Sequence, residues 1–166
     1  MTQLQAGMVM LAVAVVLIVL VAVGWRNRLK RQQDIAPLPQ IPADTANPTG
    51  YYEGMYVVTT TAGDWLDRVA VHGLGIRTKA TLRTYPHGVL IERPGSTDVY
   101  IPAESISAVR TESGMVGKFV ESEGLAVISW KLGERDVDTA FRTRQAAEKQ
   151  PLLAQLQTYL PAVQED

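Results

Sequence analysis

Two histidines and a pair of aspartates are the residues of this chain that could support acid–base or metal chemistry. His72 follows Asp64 and Asp67, and carboxylate and imidazole groups are suitable ligands for a metal ion. Their spacing, however, fits neither one face of a helix nor a hairpin. We therefore expect Asp64 to cap the segment after it and Asp67 to pair with a nearby arginine. His87 stands in a Pro-His-Gly turn, where exposure to solvent is the expectation.

The remaining sequence offers little else for catalysis. The chain has no cysteine, which excludes disulfides, thiol catalysis and thiolate metal ligands. It has no G-x-S-x-G, P-loop or G-x-G-x-x-G motif, and the G-x-G of residues 73–75 is a weak signal alone. We predict a protein that is not an enzyme and has no cofactor or metal site. A metal-dependent enzyme is the less favoured alternative.

Positive charge is the second chemical feature. Four basic residues cluster early in the polar part of the chain: Arg68, Arg77, Lys79 and Arg83. From Asp34 onward, however, 12 basic residues face 17 acidic ones, a net charge of −5. Because nucleic-acid binding needs a net basic face, we expect no nucleic-acid partner. Solvated strand faces are the expectation for this local cluster, and binding of an anionic lipid headgroup is the alternative.

The predicted binding side combines two segments of the chain. One covers residues 65–77, and the other is the loop of residues 114–121, in which two glycines flank apolar residues as in a flexible docking tip. The residues predicted to bind a partner are Trp65, Arg68, Arg77, Lys79, Met115 and Lys118.

The first element of the chain is an apolar segment. Residues 6–25 contain no charge and no strongly polar side chain, and about 20 helical residues cross the roughly 30 Å hydrocarbon core of a bilayer. Residues 1–31 are therefore predicted to form a single transmembrane anchor with a basic end, in contact with membrane lipid. The interfacial residues are predicted to be Trp25, Arg26, Arg28, Lys30 and Arg31.

The basic cluster after the apolar segment also predicts an orientation. By the positive-inside tendency, the N-terminus lies outside and the following domain lies at the cytoplasmic face of the plasma (inner) membrane. A cleaved secretory signal is the alternative. It is disfavoured because the residues before the apolar segment carry no basic side chain and the segment is long.

Residues 32–50 are predicted to be a linker. Four prolines lie in residues 34–50, where no apolar period is visible. A PxxP-type ligand at residues 39–42 is the alternative, but no flanking basic residue supports it. The folded domain is then predicted to cover residues 51–166, enough for one core.

The domain is predicted to be mainly β. Alternating and β-branched segments separated by turn signals indicate about seven short strands, the pattern of a small barrel or sandwich. Residues 78–85 and 89–93 form a hairpin, and Pro102 limits its strand to an end or edge. Residues 65–76 are predicted to share a short helical face that Gly73 and Gly75 interrupt. The other strands are predicted at residues 55–61, 98–102, 105–111, 119–120, 125–132 and 137–142.

The last element has helical periodicity. An apolar stripe in residues 144–160 predicts an amphipathic helix with Thr143 as its N-cap. Pro151 requires either a kink or a restart of the helix near that residue, and Pro161 ends it. Because the stripe needs a partner, the helix is expected to cap an open face of the β domain.

Seven strands followed by one closing helix is the order of the pleckstrin-homology-like (PH-like) barrel. Gly-Val-Leu-Ile at residues 88–91 and the I-P-x-x-x-I-x-x-V run of residues 101–109 resemble bacterial members of that class. With residues 61–69, 114–121 and 132–142, the chain resembles uncharacterised actinobacterial membrane proteins that have one N-terminal helix and a PH-like domain. Some of these are labelled exporters or transporters, although one helix cannot enclose a transport path.

The resemblance implies a fold, which is a PH-like seven-stranded barrel preceded by a single transmembrane helix. Because the chain has an anchor and no convincing catalytic site, we expect it to be a membrane-tethered binding or scaffolding module for a protein partner at the cytoplasmic surface. An anionic-lipid-binding module and an accessory subunit of a membrane export complex are the alternatives.

Overall fold

A computed structural model describes residues 2–112 and 124–162 of the chain. The chain divides into two compact units, residues 1–34 and residues 35–166. The predicted strand at residues 119–120 and the predicted docking loop lie outside the described residues.

The first unit contains one long helix, α1 (Gln3–Arg31). Its 29 residues correspond to about 44 Å at the usual helical rise, and charged side chains are confined to its last turns. Arg28, Lys30 and Arg31 lie in the last turn, where cations interact favourably with the helix dipole. Within the described residues, α1 is the one helix that is long and apolar enough to cross a membrane.

The second unit is built on one antiparallel sheet. Its strands are β1 (Gly50–Thr61), β2 (Asp64–Arg68), β3 (Thr78–Tyr85), β4 (Gly88–Glu92), β5 (Val99–Pro102), β6 (Ile106–Glu112), β7 (Leu125–Leu132) and β8 (Arg135–Thr143). They are hydrogen-bonded in the order β5–β4–β3–β1–β8–β7–β6, and β2 pairs with β1 outside this path. The predicted β3–β4 hairpin is confirmed, and Pro102 ends a strand at the edge of this path, as expected from its missing N–H.

A short helix closes one face of the sheet. Helix α2 (Lys149–Gln157) buries Leu152, Leu153 and Leu156 against the core of the sheet. Pro151 lies in its first turn, where a missing N–H costs nothing, so the restart rather than the kink is observed. The prediction of a mainly β domain with a closing C-terminal helix is therefore confirmed.

Two local predictions are wrong. Residues 64–68 form β2 rather than a helical face, because the long β1 extends far enough to pair Thr61 with Asp64 and Thr60 with Arg68. Thr143 is the last residue of β8 rather than a helix cap, and the helix begins only after a 3₁₀ turn at Ala146–Glu148. In both segments, pairing with β1 outweighs the local helical pattern.

A directed chain of hydrogen bonds crosses the core. The Leu74 carbonyl can only accept, so the Tyr56 hydroxyl donates to it at 2.6 Å and must accept from Thr59 at 2.7 Å. Thr59 in turn accepts from Thr139 at 2.8 Å, and Thr139 accepts from the indole N–H of Trp130 at 2.9 Å. Each hydroxyl donates once, so all four side chains are satisfied in a buried environment.

Residues 35–49, here called the strap, belong to the second unit. Ile35 is buried in the core of the sheet, and Leu38 packs against that core. The strap also accepts hydrogen bonds from side chains of the β domain, which distinguishes it from the free linker expected from its prolines. Only residues 32–34 of the predicted linker lie between the end of α1 and the second unit.

Both histidines of the chain bind the strap. His72 Nε2 donates to the Ala36 carbonyl at 3.0 Å, and His87 Nε2 donates to the Asp44 carbonyl at 3.0 Å. The ring of His87 is also stacked on Tyr85 at 5.1 Å between centroids. His87 lies in the turn expected for it and is partly exposed, but its ring also contacts a tyrosine and the strap.

A buried arginine supports the His72 contact. Arg93 is 1% exposed, and its guanidinium donates to the carbonyls of Gly73 at 2.9 Å and Thr97 at 2.7 Å. Burial lowers the pKa of Arg93. Its hydrogen bond to Gly73 steadies the turn in which His72 adopts a left-handed backbone with φ of 58°.

Candidate binding groove

A groove of about 560 Å³ crosses three neighbouring strands of the sheet. It is lined by residues 53–55 of β1, residues 79–81 of β3, residues 142–144 at the end of β8, and Pro94. In a pleated strand, successive side chains point to opposite faces. The register of the three strands therefore assigns each lining side chain to the groove wall or to the core.

One wall is a row of three side chains in register. Met55 of β1 pairs with Lys79 of β3 on one side and with Arg142 of β8 on the other. Arg77 reaches the same wall, because its Nη2 donates to the Met55 sulfur at 3.1 Å. This wall thus places three cationic side chains around one methionine.

The second wall lies two residues further along the strands. Glu53 pairs with Thr81, and the Arg144 N–H donates to the Glu53 carbonyl at 2.8 Å. The Arg144 guanidinium also pairs with the Glu53 carboxylate at 3.1 Å. Because both side chains are at least half exposed, this ion pair is solvated and contributes little to stability.

The floor between the walls is backbone. Gly54 pairs with Ala80 and Thr143, whose side chains are buried and so point away from the groove. A Cβ at Gly54 would collide with the Arg142 carbonyl oxygen and approach the ring of Phe141. Glycine therefore permits the close approach of β1 and β8 on which the groove depends.

The charge of the groove is unbalanced. Among the described residues, neither Lys79 nor Arg142 has a carboxylate within ion-pair distance. The neighbouring Arg83 differs, since it pairs with Glu92 at 3.1 Å and lies over the ring of Tyr51. Within the described part of the chain, Lys79 and Arg142 make neither an ion pair nor a side-chain hydrogen bond, whereas Arg77 donates to Met55, so Lys79 and Arg142 are the wall cations most available to an anionic group.

The comparison with known families is consistent with this architecture. A family model described as bacterial PH domain-like matches residues 35–157. The chain belongs to the bacterial PH domain-like family. The match begins at Ile35, the first core residue of the strap, and ends at Gln157, the last residue of α2. No curated protein matches the chain.

The PH-like domain brings together two of the predicted binding residues. Arg77 and Lys79 both reach the wall of the groove. Trp65 is 48% exposed on β2, and the Arg68 guanidinium donates to the Gly75 carbonyl at 3.3 Å. Met115 and Lys118 lie outside the described residues.

The predicted interfacial residues belong to α1 rather than to the PH-like domain. Trp25 is 56% exposed within the helix. It is followed in the same helix by the basic residues Arg26, Arg28, Lys30 and Arg31.

Sequence reasoning missed the contribution of β8 to the groove. Arg142 and Arg144 lie two residues apart, so a strand over this segment places both on one face. The shared face of these two arginines could therefore be predicted from the sequence. The pairing of β8 with β1 could not, because the two strands are about 80 residues apart in sequence. Glu53 joins the groove through the pairing of β1 with β3, and Pro94 lies just beyond the end of β4.

A second charged cluster of the PH-like domain consists of Asp138, Arg110 and Ser129, which contact one another. Asp138 is nearly buried and accepts hydrogen bonds from Arg110 at 2.8 Å and Ser129 at 2.6 Å. Burial raises the pKa of Asp138, but the hydrogen bonds and the charge of Arg110 outweigh it, so the pKa is lowered overall. This cluster therefore has a structural role between β6, β7 and β8.

The proposed metal ligands do not converge in the described part of the domain. Asp64 accepts from the N–H groups of Leu66 and Asp67, the local capping role expected for it. The Asp67 carboxylate accepts from Thr61 rather than pairing with an arginine. Among the described residues, no three histidine, aspartate or glutamate side chains form a group that could hold a metal.

Proposed function

We propose that the protein is a membrane-tethered, non-catalytic PH-like module that binds a protein partner at the cytoplasmic surface of the plasma membrane. The observation that carries the proposal is the groove, which places two unpaired cations beside a methionine and exposed backbone. These groups can bind a partner but include no nucleophile paired with a base.

The length and composition of α1 support the membrane tether. Three residues separate α1 from the strap. Even when fully extended, the backbone from Arg31 to Ile35 spans at most about 14 Å. A membrane-spanning α1 would thus keep the PH-like domain near the bilayer. The four cations after Trp25 favour the cytoplasmic side, where anionic lipid attracts them.

The engagement of both histidines supports a non-catalytic role. His72 and His87 donate to strap carbonyls, and the second ring nitrogen of His87 lies 2.8 Å from the Tyr100 hydroxyl. A general base needs a free nitrogen within reach of a substrate proton, and both ring nitrogens of His87 are engaged. These contacts make the histidines structural ties between the strap and the sheet.

Site-specific photo-crosslinking in cells tests the proposal. A photoreactive phenylalanine analogue replaces Thr81 in the groove wall or, as a control, Glu134 in the exposed turn between β7 and β8. We expect discrete protein adducts from the Thr81 position that are absent at the Glu134 position. Adducts that are absent from both positions, or identical at both, would argue against a partner-binding groove.

A further inference from the structure

We infer that the groove takes an acidic segment of the partner protein, in extended form, across β3, β1 and β8. This inference rests on the proposed function and names the chemistry of the partner. Its basis is the arrangement of charge in the groove, with Lys79 and Arg142 at opposite ends of one wall and Met55 between them.

The distance between the two unpaired cations sets the spacing of the acidic groups. Lys79 and Arg142 lie on strands separated by one intervening strand, which corresponds to about 10 Å at the usual strand spacing. An extended peptide in the polyproline II conformation advances about 3.1 Å per residue and completes one turn every three residues. Carboxylates three residues apart therefore lie on the same side of the peptide, about 9 Å apart, and match this distance. The pattern predicted for the partner is Glu-x-x-Glu or Asp-x-x-Asp.

The charge contrast with the rest of the domain favours an anionic occupant. Residues 35–166 contain 12 basic and 16 acidic residues, a net charge of −4. The groove reverses this balance, with Lys79, Arg142 and Arg144 against the single carboxylate of Glu53. An acidic segment is therefore attracted to the groove and repelled by most of the remaining surface.

The mixed polarity of the groove favours a peptide over a lipid surface. A peptide brings backbone N–H donors as well as carboxylates, so it can donate to Glu53 while its carboxylates accept from the cations. A flat layer of anionic phosphates would bring the same charge to Glu53 as to Lys79. The groove is also concave between two rows of side chains, a shape that fits a chain better than a bilayer.

The test uses the full chain in zwitterionic nanodiscs, with methionine methyl groups labelled for NMR. The chain has five methionines, and Met55→Leu assigns the signal of Met55, which lines the groove. The probe is a capped octapeptide of serine with two glutamates three residues apart, and its control has two glutamines. We expect the glutamate peptide to shift the Met55 signal and to leave those of Met8 and Met10 unchanged.

Charge variants test whether the named cations bind the probe. Lys79→Gln and Arg142→Gln should each weaken binding about fivefold, the effect of losing one charge-assisted contact in a partly exposed site. Lys131→Gln is the matched control, because Lys131 is exposed and pairs with Asp136 at 3.8 Å outside the groove. It should change binding less than about twofold.

Four outcomes would overturn the inference. The glutamine peptide could bind as well as the glutamate peptide, or Lys131→Gln could weaken binding as much as Arg142→Gln. Alternatively, vesicles rich in phosphatidylglycerol could shift the Met55 signal while the peptide does not, which would assign the groove to lipid. If the photo-crosslinker at position 81 gives protein adducts but the glutamate peptide does not bind, the groove binds a partner that lacks the acidic segment. That result would overturn this inference and leave the proposed function in place.

Discussion

Tyr56 illustrates how a single side chain joins several parts of the PH-like domain. Its hydroxyl links Thr59 to the Leu74 carbonyl in the core, while its ring supports the buried guanidinium of Arg93 at 4.4 Å. Burial raises the pKa of Tyr56 far above its ordinary value, so the hydroxyl stays protonated and keeps donating. The direction of the buried chain is thus maintained throughout the physiological pH range.

Replacing the hydroxyl tests that chain. Tyr56→Phe leaves the Thr59 hydroxyl without its acceptor, and we expect a loss of about 1–2 kcal/mol in the free energy of unfolding. Tyr51→Phe is the control, because Tyr51 is 53% exposed, and should change stability by less than about 0.5 kcal/mol. Urea unfolding of the full chain in detergent measures both. Equal stability of the two variants would contradict the role of the chain.

The lowered pKa of Asp138 predicts that the free energy of unfolding decreases at acidic pH. Its pKa is lower in the folded state than the ordinary value of 3.8, so the unfolded chain takes up the proton first as the pH falls. Its stabilisation is therefore complete above the ordinary pKa and is lost as the pH falls through the folded pKa. Asp138→Asn should lower stability by about 1–3 kcal/mol at neutral pH and reduce the acid dependence.

Unfolding of the wild type and Asp138→Asn between pH 6 and pH 2.5, about the window set by these pKa values, measures this effect. The Glu134→Gln control removes an exposed carboxylate in the turn between β7 and β8 and should retain the wild-type acid dependence. Identical acid dependence in Asp138→Asn and the wild type would contradict the assignment.

At the scale of elements, local patterns predicted most of the sheet. The alternation in β3, the Pro-His-Gly turn after Tyr85 and the end of β5 at Pro102 are local features, and each is confirmed. β2 was missed because it forms only where β1 is long enough to pair with it. The length of β1 cannot be read from the hydrophobic pattern of residues 64–68. The strap was missed because its prolines resemble those of a linker, whereas its burial depends on distant residues.

The strap predicts a contrast between two isoleucines. Ile35 is 6% exposed in the core, whereas Ile41 of the same segment is 44% exposed. Ile35→Ala should destabilise the PH-like domain by about 2–3 kcal/mol and speed amide hydrogen exchange in the strap. Ile41→Ala should change stability by less than about 0.5 kcal/mol. Equal exchange in the two variants would show that the strap is a free linker.

The candidate groove shows the limit of sequence reasoning for the site. Arg77 and Lys79 were predicted because they lie close together in sequence, and the structure brings both to the groove. Their counterpart Arg142 was not predicted, because its contribution depends on the pairing of β1 with β8. A surface made by three strands can be anticipated only in part from any one of them.

At the scale of the whole molecule, the chain combines an apolar helix, a connection of three residues and an acidic domain that carries a basic groove. The central claim is that α1 crosses the membrane and leaves this domain on the cytoplasmic side.

Thiol labelling tests that claim most directly, because the chain has no native cysteine. Thr2→Cys, before α1, and Glu134→Cys, in an exposed turn of the domain, each introduce a single thiol. With an impermeant maleimide, we predict that the Thr2→Cys thiol reacts in intact cells and the Glu134→Cys thiol reacts only after lysis. Labelling of Glu134→Cys in intact cells, or cleavage that removes residue 2 from the mature chain, would contradict the account.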